Sequence, residues 1–356
     1  MGVFKQMNIK QIAKKAGVSV ATVSRVLNHP ENVAPDTKSK IERIMTEEGY
    51  TPNWFARGLN FNKTRTIGLM IPHILNPANM EIVKGVEDVA HQKDYITFMC
   101  NVENNVEKEK QYLESLIQRK VDGVVLISSH LDASLIEDTY DHGVPVVLIG
   151  ENKDKPNIPG VRIDCCDAAY KAVKYLMEIG HTKIGILYGD TPRIENLRKV
   201  EGYKKALKDA GVSVNDNYIV KTTNDIEGGY IGGKKFAEMK DMPQAVFATS
   251  DSIAFGVIDA MKDNEIKIPE QISVMGFDDI KMSNLIEPKL TTVVKPHHKL
   301  GVVGARLLFD LMESVELDDR EAIDKQRTTE ILLEAKIKIR KSCKHTDRLQ
   351  EMFPSK

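Results

Sequence analysis

The sequence predicts an α/β chain in two unequal parts: a small helical head built on a helix-turn-helix, and a large body of two doubly wound subdomains. Three observations carry this. Residues 16–30, AGVSVATVSRVLNHP, set small, β-branched and hydroxyl side chains around a single arginine at helical spacing. From Thr66 onward, apolar strand patterns alternate with amphipathic helical ones. Charge is divided unevenly along 356 residues: positions 1–65 hold 11 basic against 5 acidic side chains, and the remainder holds 39 against 46, although the whole is close to neutral. That length accommodates two or three compact units. A cationic head on an anionic body suits a phosphate-bearing polymer as partner, because the head attracts the polyanion and the body repels it.

In the head, Asn8 followed three residues later by Gln11 forms a capping-box pattern, and Ile9, Ile12, Ala13 and Ala16 recur at helical spacing. Gly17 permits a tight turn, and Ser19 caps a second helix whose inward stripe is Val23, Val26 and Leu27. Pro35 and Asp36 start a third helix, with Ile41, Ile44 and Met45 facing inward, and Gly49 stops it. The second helix then points Val20, Ala21, Thr22, Ser24 and Arg25 elsewhere. Short side chains let a helix lie deep in a DNA major groove, where Arg25 can bond guanine O6 and N7, and Val20 and Ala21 can meet thymine methyls. Ser19, Thr22 and Ser24 are expected at phosphates, where they set register without reading sequence.

The stretches NIKQIAKKAGVSVATVSRVLN and VAPDTKSKIERIMTEEGYTPNWFARGLN resemble the DNA-binding head and hinge of the LacI/GalR (lactose-repressor) family of bacterial transcription regulators. The likeness runs without gaps through the head, and it implies base contacts for Val20, Ala21 and Arg25. It also implies that Leu59 is an apolar wedge in the minor groove, with Ala56 beside it; unstacking a base step costs a few kcal/mol, offset by the bent contact surface that results. The hinge segment NWFARGLN is barely two helical turns, and isolated helices need roughly 12 to 15 residues, so it is expected to form when docked on DNA and its dimer mate. One small helix-turn-helix offers few base contacts, each good one contributing about 1 to 3 kcal/mol of discrimination, so a homodimer on a near-palindromic double-stranded operator is expected.

In the body, TIGLMIP, YITFMCN, VDGVVLIS and VPVVLIG alternate with helices, and a second series begins near VRIDCC and includes KIGILYG, AVFATSD and ISVMGFDD. Near-continuous apolar strands imply parallel sheets covered on both faces, with a ligand crevice beyond their carboxyl ends. The resemblance implies a periplasmic-binding-protein-like effector domain. The expected division is a helix-turn-helix domain at 1–50, hinge and linker at 51–65, an effector and dimerisation domain at 66–340, and a polar tail at 341–356. Within the third, one subdomain is expected at 66–161 and 292–322 and the other at 162–291 and 323–340. Loops facing the crevice hold His73, Asn79, Lys199, Asn224, Ser250 and Asp278, polar groups fit for a small-molecule effector of sugar type. By resemblance, Lys199 stands where an effector-gripping arginine is usual, and Asp278 matches an acid that bonds sugar hydroxyls. The pattern departs from the family at Ala78 and Asn79, which replace an aromatic pair, at Gly150 in place of an aspartate, and at Asn224 near a frequent aromatic.

Other chemistries fit less well. GGYIGGK, residues 228–234, approaches a phosphate-binding loop, but Lys235 follows where a Ser or Thr should hold magnesium. His297 and His298 are adjacent, without a metal partner one turn on, and read as surface or interface residues. Cys100, Cys165, Cys166 and Cys343 show no CxxC spacing, which suggests reduced thiols. No nucleophile-elbow or metalloprotease pattern occurs, so neither enzyme activity nor a cofactor is expected. No apolar run reaches the roughly 18 residues of a membrane span, so a cytoplasmic chain without membrane partner is expected. The alternative is regulation of catabolite-control type, in which a phosphocarrier protein docks on the body; of that docking pattern PHHKLGVVGARLLFD keeps Arg306 and Leu307.

Overall fold

The computed structural model describes residues 7–50, 63–151, 157–190 and 194–344. Two compact units divide after Thr64.

The first unit is the head. Helix α1 (Ile9–Ala16) starts at the expected capping box, in which the Asn8 carbonyl oxygen Oδ1 accepts from Gln11 N–H at 3.1 Å and Gln11 Oε1 accepts from Asn8 N–H at 2.9 Å. Gly17 ends it at φ +68°, a left-handed conformation that costs a residue without Cβ little. Helix α2 (Val20–Asn28) and helix α3 (Pro35–Glu47) follow, the latter opened by Pro35, whose missing N–H falls where none is needed. Ile12, Val23 and Ile41, one from each helix, are fully buried at the centre of the head's core, with Val26, Ile44 and Met45 around them.

The second unit is the body. Its first half runs β1 (Thr66–Ile71), α4 (Pro77–Gln92), β2 (Ile96–Asn101), α5 (Val106–Gln118), β3 (Gly123–Ile127), α6 (Ala133–Asp141), β4 (Val146–Ile149) and β5 (Gly160–Ile163). It continues through α7 (Cys165–Glu178), β6 (Ile184–Gly189), α8 (Ile194–Asp209), β7 (Ile219–Thr222), α9 (Ile226–Ala237), β8 (Ala245–Ala248), α10 (Asp251–Asp263), β9 (Ser273–Asp278) and β10 (Thr291–Val294). The chain closes with α11 (His297–Glu316), α12 (Arg320–Arg327), β11 (Glu330–Leu333) and β12 (Lys336–Lys338). Two six-stranded sheets result, ordered β11-β5-β4-β3-β1-β2 and β12-β10-β9-β8-β6-β7, every pairing parallel except β12 against β10. Each sheet has a separate apolar cluster on either face, as a doubly wound layer requires.

The expected subdomain borders need three corrections. β5, carrying GVRI, pairs with β4 and belongs to the first sheet, not the second. β10 pairs with β9 in the second sheet, so the return to the first subdomain comes after Val294 rather than at residue 292. β11 lies on β5 in the first sheet, and the last crossing falls between Leu333 and Lys336. Across this pair of strands Arg162 donates to both carboxylate oxygens of Glu330, at 2.7 and 3.1 Å, and Val161, Ile331 and Leu333 pack in or against the first sheet's core. Residues 341–344, the described part of the expected polar tail, are also more than that. Ser342 and Cys343 are fully buried against β9, where Val274 N–H donates to Ser342 O at 2.8 Å and the Ser342 hydroxyl donates to Val274 O at 2.6 Å.

Near-contact glycines set the helix pairs. In GGYIGGK, a Cβ at Gly229 would stand 2.1 Å from Ile253 O, so these glycines let α9 lie against α10 and form part of a continuous helix rather than a phosphate loop.

Candidate nucleic-acid interface and inter-subdomain cleft

On α2 each residue advances about 100° around the axis, which places Val20, Ser24, Ala21 and Arg25 within an arc of roughly 140° and Val23 and Val26 opposite. Exposure follows that geometry: Val20, Ala21 and Arg25 are exposed, Thr22 and Ser24 half-buried, Val23 and Val26 buried, and Leu27 half-buried against the core. An exposed face of valine, alanine and one arginine on a helix fixed by its buried stripe can approach a groove closely, with a single planar donor fork for a base edge. Ser19 acts first as a cap: its hydroxyl accepts from Thr22 N–H at 3.1 Å and lies 2.9 Å from the Thr22 hydroxyl. Ala56 and Leu59 lie outside the described residues.

In the body, the carboxyl ends of the two sheets face each other across a cleft with a cavity of about 40 Å³. Asn79, Lys199, Asn224, Ser250 and Asp278 all line it, as expected; His73 does not. His73 instead supports the rim, its carbonyl accepting from Asn79 Nδ2 at 2.9 Å and its Nδ1 accepting from Leu75 N–H at 3.3 Å. The Lys199 ammonium is buried, donating to Thr249 O at 2.9 Å and lying 3.9 Å from the centre of the Phe277 ring. Ser250 caps α10 through Ile253 N–H at 3.3 Å and donates to Asn224 Oδ1 at 2.9 Å, so the two form one polar unit on the cleft wall. Asp278 and Asp279 end β9 with φ of +121° and +57°, conformations that side chains rarely adopt. The turn is held from behind by Arg340, which donates to Asp279 Oδ1 at 2.5 Å and to Leu290 O at 2.8 Å.

Three ionisable residues that line the cleft were not anticipated from the sequence. His297 was expected at the surface or an interface; it is buried at the first turn of α11, with neither ring nitrogen hydrogen-bonded among the described residues and Nε2 3.5 Å from Asp278 Oδ1. His298, next to it, is on the surface as expected, 2.9 Å from Asp88. The other two are Glu195 and Lys295, nearly buried and 3.4 Å apart. Burial works against the Lys295 charge, yet Glu195, Cys165 and Asp278 together hold its pKa above the ordinary lysine value. Glu151 at the same end of the first sheet is raised by burial, although Cys165 N–H and Arg162 favour its charge. The signal for His297 and Lys295 was the second return of the chain between subdomains, which places both on the crossing itself.

Comparison with known proteins follows the same division. Residues 8–53 match the family described as bacterial regulatory proteins, lacI family, and residues 64–340 match periplasmic binding proteins and sugar binding domain of LacI family. The chain belongs to the LacI family. Catabolite control protein A of Priestia megaterium is 36% identical over 313 residues, covering 88% of this chain and 94% of the relative. The transcriptional repressor PurR of Vibrio atlanticus is 32% identical over 313 residues, with coverage of 88% and 94%. Among solved structures, the lac repressor dimer bound to operator and an anti-inducer matches with a TM-score of 0.83 over 95% of this chain and 99% of that one, at 24% identity, a likeness of fold. A LacI family regulator from Enterococcus faecium with bound ribose matches at 28% identity and TM-score 0.69, covering 78% and 98%. LacI-family proteins are DNA-binding transcriptional regulators, not enzymes. No described helix is long and apolar enough to cross a membrane. On α11 Arg306 is exposed, whereas Leu307 is buried in the first subdomain's core.

Proposed function

We propose that the chain is a cytoplasmic repressor that binds a near-palindromic operator as a homodimer and is controlled by a sugar-type effector in the cleft. Val20, Ala21 and Arg25 read bases; Ser19, Thr22 and Ser24 touch phosphates; Ala56 and Leu59 open the minor groove. The observation that carries this is the exposed face of α2, small and apolar but for one guanidinium, on a helix locked by Val23 and Val26. Dimerisation is supported by the edge strand β2, which exposes Ile96, Phe98 and Met99, apolar surface that an isolated chain rarely leaves to water. A sugar-type effector is supported by the convergence of Asn224, Ser250, Asp278 and His297 on one cavity and by the relative solved with ribose.

The test is selection of genomic fragments by the full-length protein, with and without a panel of sugars, followed by variants on the selected site. Arg25→Ala is expected to flatten preference at one symmetric base position, at a cost of about 1–3 kcal/mol for the cognate base. Thr22→Ala is expected to weaken all sequences alike. Equal losses across sequences for both variants contradict the division of roles.

A further inference from the structure

Glu195 stands on the first turn of α8, in the second subdomain, and its carboxylate reaches the first. Oε1 accepts from the Ser128 hydroxyl at 3.3 Å, just past the end of β3, and Oε2 lies 3.4 Å from Lys295 Nζ on the crossing between β10 and α11. Opposite it is Gly150, at the end of β4. A Cβ there would stand 3.1 Å from Glu195 Oε1 and 3.2 Å from Ser128 Oγ, and its φ of +136° disfavours any side chain. Gly150 therefore leaves the room in which the carboxylate sits. A second ion pair spans the subdomains, Lys281 with Glu81 at 3.0 Å, but Lys281 is 90% exposed and such a pair holds weakly. The Glu195–Lys295 pair is nearly buried, where removal of one partner leaves an uncompensated charge.

We propose that Glu195 is a built-in clasp, bridging Ser128 of the first subdomain and Lys295 of the crossing so that the chain's own groups hold the cleft closed. It rests on the reading of the cleft as the effector site: an effector that reaches Lys295 must displace Glu195, and one bearing a carboxylate or phosphate competes for that ammonium directly.

The test is hydrogen–deuterium exchange on the full-length protein, without DNA or sugar. Glu195→Ala is expected to speed exchange roughly tenfold in peptides covering 128–131 and 295–300, with the central strand segments 67–71 and 245–248 unchanged. Ser128→Ala, which removes one hydroxyl from the opposite side, is expected to move the same peptides less, and it decides the matter alone where Glu195→Ala does not fold. Glu195→Gln keeps a partner for the Ser128 hydroxyl while losing the charge pair, and is expected to fall between. Unchanged exchange at both rim segments overturns the proposal. So does faster exchange everywhere, which would make Glu195 a packing residue. Because neither operator nor effector is present, failure here leaves the operator reading untouched, and failure of operator binding leaves this result legible.

Discussion

Asp251 opens α10 fully buried, and its carboxylate accepts from Ile280 N–H at 2.9 Å, the Ser283 hydroxyl at 2.6 Å and the Thr292 hydroxyl at 2.5 Å. Three donors favour the ionised form, but burial outweighs them and the Asp278 charge adds to it, so the pKa is pushed up from 3.8 to about 7. The folded chain therefore keeps a proton that the unfolded chain has lost between about pH 4 and 7. Stability from this group is fully present below that window, falls as pH rises through it and levels off above. At about 1.4 kcal/mol per unit, the loss between pH 5 and pH 8 is about 3 kcal/mol. Asp251→Asn removes the titration. Its carbonyl still accepts from Ile280 and Ser283, and the Thr292 hydroxyl can turn toward Val293 O, now 3.5 Å away. Urea unfolding of both proteins at pH 5 and pH 8 is expected to show the wild type losing that amount relative to the variant. Parallel pH profiles, or a wild type that gains on the variant toward pH 8, would refute the reasoning.

Other outcomes are expected at the two sites. Leu59→Ala is expected to reduce DNA bending in gel-mobility phasing while the head stays folded; unchanged bending removes the wedge. A sugar that raises the melting temperature of the wild type is expected to have no such effect on Asp278→Ala, and a retained shift would free Asp278 from ligand contact. Val23→Ala empties part of the head's small core, at a cost of about 2 kcal/mol, and is expected to abolish operator binding before it alters the unfolding of the body, as followed by circular dichroism.

The head was legible almost residue by residue, because its signals are local: the Asn8 capping box, the left-handed Gly17, the Ser19 cap and the three-helix stripe each need only a few neighbours in sequence. The strand–helix alternation of the body was legible for the same reason. Which sheet a strand joins was not, since GVRI and EILL carry the same apolar pattern whichever neighbour they take, and their pairing, with its Arg162–Glu330 contact, spans 168 positions. His297 was read as a surface or interface residue because it lacks a metal partner one turn on; that the direction it takes from the helix meets the cleft depends on where α11 packs. Glu195 and Lys295 are ordinary charged residues in sequence. Only the crossing of the chain brings them together.

That crossing occurs three times, after Ile163, after Val294 and after Leu333, so neither subdomain is one continuous stretch of polypeptide. On the ribosome, the first sheet waits for β11 and the second for β12 and the buried Ser342–Cys343 turn, all beyond residue 329. Both halves of the body thus mature together, once residues 330–343 have been made, and a chain cut before residue 330 yields two incomplete sheets instead of one finished half.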